Sequence, residues 1–457
     1  MKARFVASKS NHAAARTIRI TSRWGCGPVR AALLFALAAV SNFTPAQAQN
    51  NAVSDTAITN TVQSDWTEFH KPNMQRWNGV EKQLSVHTVG RLQNLWTQFT
   101  SSGGVYTAPA VANGVVYVGT NGGSFYALKA ATGDVLWTYP VGSLYSSPAV
   151  ANGVVYFGAN SPGNALYALD ASSGVLLWSY PTGGEVESPP TVVSGVVYFG
   201  SNDFNIYALD ALTGAKRWNY NTGGPDEVWS SPAVVNGAVY VGGGNNNVLA
   251  LNASTGALLW SYATGGSVIS SPAVANGKVY VGSYNNDSVY ALNAATGTKL
   301  WSYTTGGLVW SSPAVANGVV YIGSGDSNVY ALNASTGALL WTYATPSGGI
   351  YSSPAIANGV VYVSTATGSF SDNSVTALNA STGAKLWDWY TGEVFSSSPA
   401  ISNGQLYVGS DIGDVYAFGL RSTAEVAGTS TKPISATLYP DLNIELSRTA
   451  ARVQTQP

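Results

Sequence analysis

Between Tyr106 and Leu420 the chain alternates short apolar runs with small polar turns. The stretch Ser311 to Tyr343, SSPAVANGVVYIGSGDSNVYALNASTGALLWTY, shows the pattern. SSPAVANG is a short, small-residue run closed by Asn-Gly, a pair that accepts the positive φ angles of a tight hairpin. VVYIGS is β-branched and aromatic and stops at Gly. VYALNA is a third run, ended by Ser-Thr-Gly, where Gly supplies a turn position at positive φ. ALLWTY is the fourth. No apolar periodicity lasts for three helical turns, so the pattern predicts an all-β unit of four strands.

Near-copies of this unit fill most of the chain. Trp96, Trp137, Trp178, Trp218, Trp260, Trp301, Trp341 and Trp387 stand 41, 41, 40, 42, 41, 40 and 46 residues apart. A fixed period of this size means stacked supersecondary units. The proline-bearing motif occurs eight times, at Pro109, Pro148, Pro189, Pro232, Pro272, Pro313, Pro354 and Pro399. The last copy stops at VYAFGL, Val415 to Leu420, without a fourth strand, while a spare Trp strand, Asn94 to Thr97, precedes the first. Spare and gap match. They predict an eight-bladed β-propeller of four-stranded blades, its ring closed when the N-terminal strand completes the last blade. Proline cannot donate to a ladder, which puts the Ser-Pro-Ala run innermost, on an edge. The Trp run is then outermost, its indole filling the seam between neighbouring blades.

Four segments follow from this. Residues 1–48 hold seven Lys/Arg, no Asp/Glu, the apolar run Ala31 to Val40 and an Ala46-Gln47-Ala48 site, the pattern of a signal peptide cleaved before Gln49. Residues 49–90 form an extension packing on the ring, 91–420 the propeller, and 421–457 a polar, partly disordered tail. Ten apolar residues are too few to span a bilayer, so no membrane span is expected. Cys26 lies ahead of the apolar run, which excludes a lipoprotein anchor. The expected product is a secreted or periplasmic monomer without cysteine. Cleavage leaves 14 Lys/Arg (21 less seven) against 22 Asp/Glu. That balance argues against a nucleic-acid partner.

The unit A-L-N/D-A-x-T/S-G-x-x-x-W stands here as ALDASSGVLLW (Ala168 to Trp178), ALNASTGALLW (Ala250 to Trp260 and Ala331 to Trp341) and ALNASTGAKLW (Ala377 to Trp387). It resembles the tryptophan-docking repeat of the pyrroloquinoline-quinone-type (PQQ-like) propellers. The run Asp65 to Trp96 resembles the N-terminal segment of polyvinyl-alcohol-dehydrogenase-like members. The resemblance covers about four-fifths of the chain and implies the fold. For activity it implies two classes: quinone-dependent dehydrogenases, and non-catalytic scaffolds like the outer-membrane assembly lipoprotein. The WD40 repeat has a similar period, but Trp-Asp occurs once, at Trp387-Asp388, and Gly-His never.

Function on a repetitive scaffold belongs where one copy departs from the rest. The position before Ser-Ser-Pro reads Tyr106, Tyr145, Val186, Trp229, Ile269, Trp310, Tyr351 and Ser396. These residues are expected to ring one mouth of the axial channel, either as a stacking surface for an unidentified ligand or partner or as a plain plug. In blade 3, Glu185 and Glu187 stand two apart, as a carboxylate pair or as solvated rim charges. Pro225-Asp226-Glu227 and the insertion Ala366 to Asn373 lengthen loops of blades 4 and 7. Asn/Asp-rich turns such as Asn202-Asp203, Asn285-Asn286-Asp287, Gly325-Asp326 and Asp411 to Asp414 read as turn chemistry rather than calcium loops. His70 and His87 lack companions for a metal site, and their expected role is packing or exposure. There is no CxxC, haem-attachment motif, phosphate loop or HExxH, and no catalytic residue is assigned. A binding or interaction scaffold is the first expectation. A dehydrogenase that oxidises an alcohol or sugar with PQQ and calcium at the axis is the alternative.

Overall fold

The computed structural model describes residues 64–71, 74–100, 103–224, 227–346, 348–365, 373–390 and 393–421. The expected signal peptide, residues 49–63 of the expected extension, nearly all of the C-terminal tail, Pro225-Asp226 and most of the blade 7 insertion lie outside the described residues.

Eight blades of four antiparallel strands follow one another round the ring, the blade strands consecutive in sequence except in the last. Blade 6 is representative, with strands Ala314–Ala316, Val319–Gly323, Asn328–Asn333 and Leu339–Ala344. The first hairpin of every blade turns on two residues of positive φ, Asn317 (50°) and Gly318 (77°) in blade 6. That is the backbone the right-handed twist of paired strands requires. Blade 8 takes three strands from Ala400 to Gly419 and its fourth from Gln93–Phe99, with Thr97 opposite Tyr416 and Phe99 opposite Asp414. The ring therefore closes as the spare strand predicts.

The outer strands make the seams. Trp301 Nε1–H of blade 5 donates to Ala334 O of blade 6 at 3.1 Å. Its ring lies where a Cβ on Gly337 (φ +75°) would come within 2.7 Å. The same bond runs from Trp96, Trp137, Trp178, Trp218, Trp260 and Trp341 to the alanine after the next blade's third strand. At the closing seam that alanine is missing, and Trp387 donates instead to Leu92 O. In every blade but the seventh a tyrosine of the second strand shares the alanine carbonyl, as Tyr280 does with Ala334 at 2.9 Å. Tyr362, facing the closing seam, has its hydroxyl buried without a partner.

The inner strands are joined by a different ladder. The backbone N–H of Ser231 donates to Ser271 Oγ, Ser271 to Ser312, Ser312 to Ser353 and Ser353 to Ser398, at 2.8–2.9 Å. Small hydroxyl side chains thus satisfy edge groups that face the axis.

The segment before the propeller forms a strap that circles the channel along these edges. Trp66 exchanges backbone bonds with Val111 of blade 1, and Thr67 O accepts from Val150 N–H of blade 2. Glu68 Oε2 accepts from Val192 of blade 3, and His70 Nε2 lies 3.3 Å from Ser231 O of blade 4. Met74, Gln75 and Arg76 accept through their carbonyls from Val274, Val315 and Ile356 of blades 5 to 7. Asn78 Nδ2 donates to Ile401 O of blade 8. One residue thus serves each blade in ring order, and Trp77–Asn78 adds a parallel fifth strand to blade 7.

Candidate functional site

Above the strap the channel opens into a cavity of about 570 Å³. Phe69 of the strap is its floor, and the second serines of the Ser-Ser-Pro motifs, among them Ser271, Ser312 and Ser353, are its walls. First strands run from mouth to strap and second strands return. The mouth is therefore surrounded by the loops entering first strands and the turns joining second to third strands.

The rim carries one residue from each blade. Tyr106, Tyr145, Trp229, Ile269, Trp310, Tyr351 and Ser396 all line the cavity. Blade 3 corrects the sequence reading. Thr191 pairs with Tyr198 as Ala149 pairs with Tyr156 in blade 2, so Pro190 is the motif proline and Pro189 holds the serine position. The doublet Pro189-Pro190 allows two alignments, and a slip of one residue exchanges the two faces of a strand. Val186 is accordingly fully buried beside Gly158, in the core shared by blades 2 and 3, and Glu187 takes the rim position. Pro189 also interrupts the serine ladder, and Ser231 Oγ turns to donate to Pro189 O at 2.8 Å.

The aromatic rings group into two arcs. Trp229 and Trp310 stack with centroids 5.9 Å apart across the narrower Ile269. Tyr284 and Tyr351 meet Trp310 edge-on at 5.6 and 6.4 Å. Tyr106 and Tyr145 form the second arc at 5.5 Å. Trp310, Tyr145 and Tyr351 keep 43%, 41% and 38% of their surface exposed, so ring area is open rather than filled by the protein. Tyr284 and Leu308 were not singled out in sequence. Tyr284 stands where other blades have Asn, Asp or Gly, such as Asn160, Asn202, Gly325 and Asp411, a departure that was legible; Leu308 shares its position with residues as different as Ser143, Glu185 and Val394, so the repeat gave no signal for it. Phe69 gave none, because the strap has no repeat.

The carboxylates differ in setting. Glu187 Oε1 accepts from Asn160 Nδ2 at 2.8 Å. Burial pushes the Glu187 carboxyl up, the Asn160 bond opposes this, and the charges of Glu185 and Glu227 push it further. Glu185 does not line the cavity; its Oε1 lies 3.4 Å from the Ser161 N–H. Across the mouth, Asp411 accepts from the N–H and hydroxyl of Ser396 at 3.0 and 2.8 Å, and burial raises its carboxyl too. Asp203 and Asp326 are consumed by their own turns. Each accepts from a glycine N–H of the preceding loop and a tyrosine hydroxyl, Gly183 and Tyr207 for one, Gly306 and Tyr330 for the other. His70 is buried in the strap, where burial pushes it down to about 3, and His87 is exposed.

The family model for the outer membrane protein assembly factor BamB matches residues 85–227, 226–312 and 304–433. The chain belongs to that family of PQQ-like propellers. Its fold is shared with BamB from Moraxella catarrhalis (TM-score 0.60, 21% identity, 72% of this chain and 99% of that one). It is shared equally with a quinohemoprotein alcohol dehydrogenase from Comamonas testosteroni (0.67, 17%, 83% and 83%). At such identities the likeness shows the fold alone. The dehydrogenase subunit of a quinone alcohol dehydrogenase from Gluconobacter oxydans is 34% identical over 77 residues, 16% of this chain. The match spans a tenth of that relative's length. The similar proteins thus include both a BamB and quinone alcohol dehydrogenases.

Proposed function

We propose that this chain is an exported binding propeller, secreted or periplasmic, that holds a small organic ligand in the aromatic mouth. The observation that carries this reading is the cavity itself. It is closed below by Phe69, is of ligand size, and presents partly exposed Trp and Tyr faces together with convergent polar groups. A plug would need no open ring area, and Ile269 shows that an aliphatic side chain suits the rim position.

The dehydrogenase reading is supported by the Gluconobacter relative. Pyrroloquinoline quinone carries three carboxylates, and the described lining meets them with Glu187 and no Lys, Arg or His. No group of three or more His, Cys, Asp and Glu suited to a metal ion occurs among the described residues. These residues do not fit the cofactor, and no redox step is derived from it.

The test is a thermal-shift and tryptophan-fluorescence screen of the mature chain against amines, sugars and quinones. Binding of a hit is expected to weaken at least about tenfold, or about 1.4 kcal/mol, in the Trp229→Leu, Trp310→Leu double variant. The melting temperature should stay close to that of the parent. Full binding by the double variant moves the site elsewhere. Dye reduction with an alcohol after adding PQQ and calcium would replace this reading with the second.

A further inference from the structure

Charge is divided between the two faces of the ring. Every Lys and Arg among the described residues lies in the strap, just before the closing strand, or at the blade ends away from the mouth. There they stand at the strand ends beside the turns that join first to second or third to fourth strands, or, for Arg421, just after the third strand of blade 8. Lys129 ends a third strand, Lys278 starts a second, and Lys216, Lys299 and Lys385 start fourth strands. The mouth-side loops contain no Lys or Arg anywhere in their sequence, the undescribed stretches included. They carry Glu185, Glu187 and Glu227 on one side, and Glu393, Asp411 and Asp414 on the other. Among the described residues the ion pairs are Arg217–Asp210 and Lys385–Asp388, neither of them at the mouth. Glu187 therefore faces a cavity with no Lys or Arg among its lining residues, the Arg76 guanidinium lying behind the Phe69 floor.

Two independent features thus meet in one space. Ring faces of Trp229, Trp310, Tyr351 and Tyr284 present negative quadrupole density, and the nearby carboxylates present net negative charge. A low-dielectric funnel lined by one sign of charge concentrates the field at its mouth. Anions are repelled by both features. A neutral sugar would stack on the rings but leave the carboxylates without a counter-charge. From this juxtaposition we infer that the ligand is an organic cation, an amine or quaternary ammonium on an apolar or aromatic body, its charged head among the aromatic faces beside Glu187. The inference rests on the proposed function and narrows it to one chemical class.

The experiment titrates the mature chain with benzyltrimethylammonium and choline, using the uncharged choline isostere 3,3-dimethyl-1-butanol and glucose as neutral probes, and reads tryptophan fluorescence. The cations are expected to bind saturably and at least about tenfold more tightly than the neutral probes, a gap that narrows as salt screens the rim charges. Glu187→Gln keeps the acceptor for Asn160 but removes the charge, and should weaken the cations severalfold while leaving the neutral probes unchanged. Neutral binding equal to that of the cations, indifference to Glu187→Gln, or no cation binding at millimolar concentration overturns the inference. If a neutral probe binds, loses affinity in the double Trp variant, and the cations do not bind, the aromatic mouth stands and only the cationic class falls. If cation binding survives the double Trp variant, both fall.

Discussion

Arg76 has no exposed surface and no carboxylate partner among the described residues. Its Nε–H donates to Pro354 O at 2.9 Å, and its other nitrogens donate to Phe69 O, Ser353 O and Pro399 O. The guanidinium lies 4.4 Å from the Phe69 ring and 5.4 Å from Trp66. Burial pushes it down to about 9, so it stays charged at neutral pH and anchors the cavity floor through carbonyls and ring faces. Glu68 and His70, on the same strap, are buried with opposite consequences. Burial raises the Glu68 carboxyl from 4.5 to about 7 and lowers His70 from 6.5 to about 3. The fold holds the Glu68 proton more tightly than the unfolded chain does. That contribution is complete below pH 4.5 and is lost as pH rises to about 7. His70 stays neutral in the fold, so its penalty grows as pH falls from 6.5 towards 3. The two slopes oppose each other between pH 4.5 and 6.5. Glu68→Gln should therefore gain stability over the parent as pH rises through that window, by up to about 3 kcal/mol. His70→Gln should instead gain as pH falls. Differences in unfolding free energy, in which the remaining groups cancel, check both. Parallel profiles for parent and variants would contradict the assignment.

Among the elements, the blades were the most legible part of the chain. Four strands per unit, the Asn-Gly hairpins, the outer Trp strand and the completion of blade 8 by Gln93–Phe99 all follow from period and turn chemistry, because each is repeated many times. The blade 3 register was misread where Pro189-Pro190 made the motif ambiguous. The strap was legible only as a segment that packs on the ring. Its contacts are mostly backbone bonds, one residue per blade, and such bonds leave no side-chain signature. The seams give the clearest energetic test at this scale. Trp301 is 8% exposed, and its ring is held between Gly337, Tyr280 and the Ala334 carbonyl. Trp301→Ala should cost about 3–5 kcal/mol in chemical unfolding. A loss under about 1 kcal/mol would mean that the seam does not depend on the indole.

At the scale of the whole molecule, a ring of near-identical blades has no preferred place for a ligand, and asymmetry has to be added. Here it is added three times over: by the strap that floors one end of the channel, by aromatic residues at five of eight rim positions, and by moving every described Lys and Arg away from the mouth. The rim aromatics were visible in sequence as departures from the repeat. The exclusion of cations was not, because it needs the direction of every strand. The most direct measurement of the central claim is a crystal structure of the mature chain soaked with the compound giving the largest thermal shift. The predicted result is ligand density above Phe69, against the faces of Trp229 and Trp310 and within reach of Tyr351. Ligand density outside the channel, with only water above Phe69, would contradict it.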